Sequence, residues 1–284
     1  MSTAPWARQA RRAFVLPAFL WLGATVAAPL ALVAAISLGE ATQGAPPFEW
    51  GFSFANYALV LEDDIYWGAF LTSARIAGTS TAICLLVGYP MALGIARSPP
   101  TRRAFLLFLV VLPFWTSFLV RVYAWLGLLR PTGLINSTLQ AVGLIDEPIG
   151  LIANAFAVHL GIVYAYLPFM ILPIYATLER LDPALVEAAQ DLGSKPARTF
   201  WRITFPMSVP GMVAGALLVF IPASGEFVIP DLLGGPDTQM IGRVLWLEFF
   251  QNRDWPVACA IATMLAALLA GPILAFDRLR VRGT

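Results

Sequence analysis

The sequence predicts an all-α polytopic membrane protein of six transmembrane helices with both termini in the cytoplasm. Three observations carry that prediction: an apolar composition, six apolar runs of spanning length, and basic residues gathered on one side of them. Of the 284 residues 59% are hydrophobic and 12% charged, with a mean hydropathy of +0.75. Soluble domains carry about 25% charged residues, which argues against a water-soluble enzyme. The 22 glycines and 22 prolines exclude a disordered or coiled-coil chain and suit apolar helices punctuated by breakers. A formal net charge of +1 argues against a basic nucleic-acid binder. Cys84 and Cys259 both lie in apolar runs, where a thiol behaves as a small buried hydrophobe, so neither a disulfide framework nor a cysteine metal site is expected.

A helix needs about 20 mainly apolar residues to cross the roughly 30 Å hydrocarbon layer. Six runs meet that length: Ala13 to Leu38, Trp67 to Ala96, Ala104 to Leu129, Leu151 to Leu178, Val209 to Ile229 and Pro256 to Phe276. The first follows Arg8, Arg11 and Arg12 as a signal peptide would. Its apolar stretch is far longer than a signal core of about 7 to 15 residues, so it is expected to be retained.

Short cytoplasmic segments retain Lys and Arg, so the basic residues give the orientation. The N-terminal tail holds Arg8, Arg11 and Arg12, the second-to-third loop Arg97, Arg102 and Arg103, and the fourth-to-fifth loop Arg180, Lys195, Arg198 and Arg202. With Arg278, Arg280 and Arg282 in the C-terminal tail, 13 of the 18 basic residues share one side, against 5 acids there. The other side has 3 basic residues and 11 acids, so +8 inside faces −8 outside. An acidic outer face concentrates cations; the plainer reading is a set of solvated loop charges.

Several spans carry breakers that a simple anchor does not need: Gly88 and Pro90, Pro113, Pro168 and Pro173, Pro222 and Gly225, and Pro272. Proline frees backbone carbonyls, which lipid tolerates only where protein or water satisfies them. Kinked, protein-facing helices suit a gated pathway. Three charges, Arg75, Arg121 and Glu226, fall inside the spans, at a cost of at least roughly 2.5 to 3.5 kcal/mol for a mid-bilayer charge. Glu226 is either a pathway or gate carboxylate or half of a structural ion pair with an arginine such as Arg121. Arg75 snorkels or pairs. His159, the single histidine, is expected to be a hydrogen-bonded helix contact, since one imidazole cannot assemble a metal site.

The sharpest local signal is in the long fourth-to-fifth loop, residues 179–208. It reads Glu187-Ala188-Ala189, three residues, Gly193, nine residues, then Ile203-Thr204-Phe205-Pro206. Asp182-Pro183 predicts an N-cap with proline at the first helical position, and Gly193 a helix stop. A short amphipathic helix results, on which Ala188 and Ala189 permit close approach by another protein and Glu187 offers a charge. Pro206 is expected to end a second segment before the next span.

This pattern resembles the Glu-Ala-Ala motif of permease subunits of ABC importers, with one departure, Phe205 where leucine is usual. The resemblance implies the type I importer permease fold and assigns Glu187, Ala188, Ala189, Gly193, Ile203 and Pro206 to contact with a cytoplasmic ATPase. The runs Pro113 to Trp125, Gly161 to Met170 and Gly225 to Pro236 look like the polyamine permeases, and Met240 to Val257 is similar to putrescine permeases in particular. The family implies uptake of a polyamine, most specifically putrescine, across the bacterial inner membrane. Its implied partners are a second permease subunit in a heterodimer, two ABC ATPase subunits and a periplasmic polyamine-binding protein. Spermidine, an opine-like compound or another small cationic amine is the alternative cargo. On this reading residues 1–66 hold the tail, first span and first outer loop, 67–278 the type 1 transmembrane domain, and 279–284 a cytoplasmic tail.

For a dication the path needs carboxylates and π faces, since both stabilise ammonium groups. Glu226, Trp115, Tyr123, Trp125 and Tyr166 are the candidates. No catalytic residue, cofactor or metal is expected. Lys195, the single lysine, precedes Pro196, whereas a P-loop needs Lys-Ser or Lys-Thr in a glycine-rich cradle, so ATP must bind another chain. Two rival readings are weaker. An intramembrane serine protease built on Ser224 and His159 has the wrong residue order and lacks its serine motif, and a stand-alone channel or secondary carrier leaves the loop motif unexplained. Because Lys195 is unique, an amine reagent is expected to label its side chain from the cytoplasmic face only; labelling in sealed right-side-out vesicles would invert the topology.

Overall fold

In the computed structural model the described residues are 15–282, with side-chain environments given for 15–271. Arg8, Arg11 and Arg12, and the side chains of Arg278, Arg280 and Arg282, therefore lie outside the description. The chain is helical almost throughout. In order it forms α1 (Val15–Ile36), the two-residue strands β1 (Glu40–Ala41) and β2 (Phe48–Glu49), α2 (Ala55–Glu62), α3 (Asp64–Ala96), α4 (Pro100–Val111), α5 (Phe118–Leu129) and α6 (Leu134–Ala141). There follow α7 (Ala155–Glu179), α8 (Pro183–Asp191), α9 (Pro196–Ser224), α10 (Val228–Leu233), α11 (Ile241–Leu247) and α12 (Trp255–Arg282). Five stretches are long and apolar enough to cross a bilayer, namely Val15–Ile36, Asp64–Ala96, Phe118–Ala141, Ala155–Glu179 and Pro196–Ser224. α12 adds a sixth helix of 28 residues whose apolar part is Trp255–Gly271.

Two of the expected spans are built differently. The run Ala104 to Leu129 is two helices, with a tight turn at Leu112–Trp115 and extended backbone at Thr116 and Ser117 between α4 and α5. Pro113 opens this break, having no amide to continue the ladder. The run from Val209 begins earlier and ends sooner: α9 starts at Pro196 and stops at Ser224, with Gly225 to Phe227 breaking the backbone before α10. Pro206 does not end a segment as expected. A wide π turn at Phe200–Thr204, in which the Phe205 amide reaches back to Phe200, precedes it. That turn displaces the carbonyl that the proline ring would strike, so the helix runs on.

The chain divides into two compact units, one holding the residues up to Asp64 with Leu245–Ala267, the other Ile65–Val244 with the chain from Leu268. In the first, the Asn56 side-chain amide donates to the carbonyls of Ser37 and Gly39, each at 2.9 Å, serving acceptors that the end of α1 leaves free. Trp255 stacks on Phe249 with ring centroids 4.8 Å apart and meets Phe48 at 6.1 Å.

In the second unit α7 is the central helix and α9 packs along it. Small residues allow this. A Cβ at Gly215 would lie 2.9 Å from the sulfur of Met170 and 3.0 Å from its carbonyl oxygen. Two buried clusters result. One centres on Ile76, Val122, Val158, Ile162, Ile229 and Leu233, and the other, nearer the basic end, on Cys84, Met170, Ile171, Ile174, Met212 and Val219. Gly215→Val would push α9 off Met170, and overpacking of this kind costs about 1–3 kcal/mol. The expected outcome is a lower unfolding temperature of the detergent-solubilised protein, with Gly271→Ala, where nothing lies within 4 Å, as the silent control.

Candidate functional site

Two places gather the residues singled out from the sequence. The first is on the basic face. Asp182 caps α8 as expected, its carboxylate accepting from the Ala184 amide at 3.0 Å, and Gly193 ends the helix with φ +80°, a left-handed turn that glycine adopts without strain. Glu187 and Ala188 are exposed, and Ala189 is half-buried. Leu185, Ala188 and Leu192 recur at helical spacing, and Leu192 is 89% exposed. Ile203 is half-buried in the π turn and Pro206 is exposed.

Beside α8 lies a cleft of about 730 Å³ lined by Arg97, Arg103, Glu179, Glu187, Gln190 and Phe200 among others. Arg103 closes one wall: its guanidinium pairs with Glu179 at 3.0 Å and donates to the carbonyls of Ala96 and Ser98 at 2.9 and 3.3 Å. The clasp ties the α3–α4 turn to the last residue of α7, where α8 begins. Sequence reasoning missed it, because Arg103 and Glu179 stand 76 positions apart and no local spacing marks them.

The second place is within the membrane. Glu226 is 7% exposed and sits in the break after α9. One carboxylate oxygen accepts from the amides of Phe227, Val228 and Ile229 at 3.1, 3.0 and 3.4 Å, and the other from the Tyr166 hydroxyl at 2.5 Å. Those amides open α10 and have no partner within their own helix. The expected ion pair with Arg121 does not form. Arg121 instead donates to the Pro113 carbonyl and lies over the rings of Phe114 and Phe118, at 5.5 and 6.0 Å from their centroids. Ion pairs form instead between Arg103 and Glu179 and between Arg243 and Asp231.

The other candidates separate by exposure. Trp115 is 75% exposed and Tyr123 56%, while Trp125 is half-buried with its ring edge-on to Tyr164 at 5.4 Å. His159 is a helix contact. Its Nδ1–H donates to the Ala155 carbonyl at 2.6 Å, and Nε2 shares a 2.6 Å hydrogen bond with the Thr79 hydroxyl. Arg75 is exposed on α3, and no group of three or more metal-ligating side chains occurs among the described residues.

The model of the family described as binding-protein-dependent transport system inner membrane component matches residues 64–277. The chain belongs to that family. It is a permease subunit of an ABC importer, a multi-pass inner-membrane component and not itself an enzyme. Among its relatives, the spermidine/putrescine transport system permease protein PotB of Haemophilus influenzae is 39% identical over 260 residues, 92% of this chain and 90% of that protein. PotB of Escherichia coli is 40% identical over 227 residues, 80% of this permease and 82% of its relative. The fold is shared with a crystallised bacterial alginate ABC transporter in complex with an alginate pentasaccharide-bound periplasmic protein, at a TM-score of 0.72 and 19% identity over 98% of this permease and 97% of that chain. The type I permease fold expected from the loop motif is thus the fold observed.

Removal of the α8 cap tests the local reading of the basic face. Asp182→Ala costs about 1 kcal/mol of helix stability, and the expected outcome is faster amide exchange across 183–193 with exchange in α7 unchanged.

Proposed function

We propose that this permease carries polyamines inward across the bacterial inner membrane. It acts as one half of a permease heterodimer, is driven by two ATPase subunits on its basic face, and is supplied by a periplasmic polyamine-binding protein. The observation that carries the cargo is the 39% and 40% identity to two spermidine/putrescine permeases over at least four-fifths of the chain. Their names join spermidine with putrescine, so the cargo is read as both amines, with spermidine foremost, and the narrower expectation of putrescine alone is not carried. The periplasmic protein bound to the alginate transporter supports a binding protein as the donor.

α8 is the coupling helix. Its apolar stripe Leu185, Ala188 and Leu192, with Glu187 beside it, offers a small, largely apolar docking face, and such a face is worth most when fully desolvated by its partner. ATP closes the ATPases and α8 follows. Movement then passes through the Arg103 clasp and α7 to the broken spans, which exchange outward-facing and inward-facing states. Trp115 and Tyr123, whose rings are uncovered, present π faces to an ammonium cargo, and the acidic outer loops raise its concentration at the entrance.

Uptake by the complete complex in proteoliposomes tests the cargo. The expected outcome is ATP-dependent accumulation of spermidine and putrescine and none of a neutral diol of equal length; a complex that moves neither amine sinks the reading. Glu187→Lys is expected to lower ATPase activity stimulated by the loaded binding protein by about tenfold, equivalent to ~1.4 kcal/mol of lost docking energy, with membrane insertion intact. Unchanged stimulation would remove Glu187 from the contact.

A further inference from the structure

Two spans break inside the membrane, and each break is capped by a charged side chain from its own segment. Arg121 serves the Pro113 carbonyl at the α4–α5 break, and Glu226 serves three amides at the α9–α10 break. The two charges do not meet, yet side chains join them. The Arg121 guanidinium lies over the Phe114 ring, Phe114 meets Phe169 with centroids 5.2 Å apart, and Phe169 meets Tyr166 at 6.2 Å. The Tyr166 hydroxyl then donates to Glu226 at 2.5 Å. Phe169 and Tyr166 both belong to α7, one turn apart. The Phe114 break lies about 20 Å above the start of α4, and Tyr166 about 17 Å below the start of α7. They therefore meet near the middle of the roughly 30 Å hydrocarbon layer.

We propose that Arg121, Phe114, Phe169, Tyr166 and Glu226 form one mechanical link that makes the two helix breaks move together, and that Glu226 is a positioning residue rather than a cargo ligand. A carboxylate offers about four lone-pair sites. Three amides converge on one oxygen and the Tyr166 phenol holds the other, and with the residue 7% exposed an ammonium group reaching Glu226 would have to displace Tyr166 or part of the α10 cap. The ring contacts allow neither break to change without displacing α7. Coupling of this kind needs a contiguous set of groups with discrete arrangements, and the caps supply them, since each is either made or lost. The inference rests on the reading of the chain as a cargo-moving permease.

The test uses the complete reconstituted complex with Tyr166→Phe, Phe169→Ala, Glu226→Gln, Arg121→Gln and the last two combined. Spermidine uptake is expected to lose several-fold in maximal rate at unchanged KM in each single variant, and the double variant is expected to be no worse than its more severe parent. Amide exchange of 112–121 and of 225–229 is expected to rise together in Tyr166→Phe and Phe169→Ala. An increase in KM of about tenfold with maximal rate preserved in Glu226→Gln would make Glu226 a cargo contact and overturn the proposal. Multiplicative loss in the double variant, or faster exchange confined to one break, would overturn it equally. Should Glu226→Gln fail to assemble, Tyr166→Phe, which removes one hydroxyl, carries the kinetic comparison. A wild-type complex that moves no polyamine refutes the cargo reading, while the exchange of the two segments still decides the link.

Discussion

Lipid offers a broken helix no hydrogen-bond partner, so backbone freed inside the bilayer must be served by the protein itself. Most of what is distinctive in this permease follows from that constraint. At the α4–α5 break the Pro113 carbonyl, whose i+4 donor is lost where the backbone turns extended, accepts from the amide and hydroxyl of Thr116 and from Arg121. At the α9–α10 break the polarity is reversed, and a carboxylate serves three amides. A cation stands where acceptors are orphaned and an anion where donors are. The intramembrane charges thus have a local electrostatic reason to exist that precedes any role in transport.

The same constraint shapes the packing. A bundle has no hydrophobic driving force in lipid and must gain contact by close approach of small residues and by interhelical hydrogen bonds. Gly215 lets α9 lie on Met170 of α7, and the hydroxyls of Ser208 and Tyr89 join α9 to α3 at 3.1 Å. α7 gathers these contacts. It also carries Tyr166 and Phe169 on one face and ends at Glu179, within the Arg103 clasp. The helix that touches both membrane breaks is therefore the helix that leads directly into α8.

Much of this was legible in the sequence. Length and hydropathy indicated an all-α membrane chain and located most of its long apolar helices, because lipid thickness fixes span length. The Asp182 cap and the Gly193 stop were readable because a cap acts within a few residues. The interruptions were seen as prolines but their outcomes were not. Pro113 breaks its span outright, whereas Pro206 is absorbed by a π turn five residues long, and the proline alone does not tell the two outcomes apart. The partners of Glu226 were misjudged for a related reason. Charge suggested an arginine, but the nearest donors to a carboxylate at a chain break are the amides of that break, and the Tyr166 hydroxyl, 60 positions away, comes into reach only through the crossing of α7 and α9. The Arg103–Glu179 pair was invisible on the same ground.

Leu192, 89% exposed at the tip of α8, has a consequence for biogenesis. A subunit released from the translocon without its ATPase displays a solvated leucine in the stripe with Leu185 and Ala188, the kind of surface that holdases and proteases recognise. Under the proposed docking of an ATPase on α8, burial of that stripe adds to the stability of the folded subunit by mass action, so the helix that would carry the coupling would also carry part of the subunit's own stability.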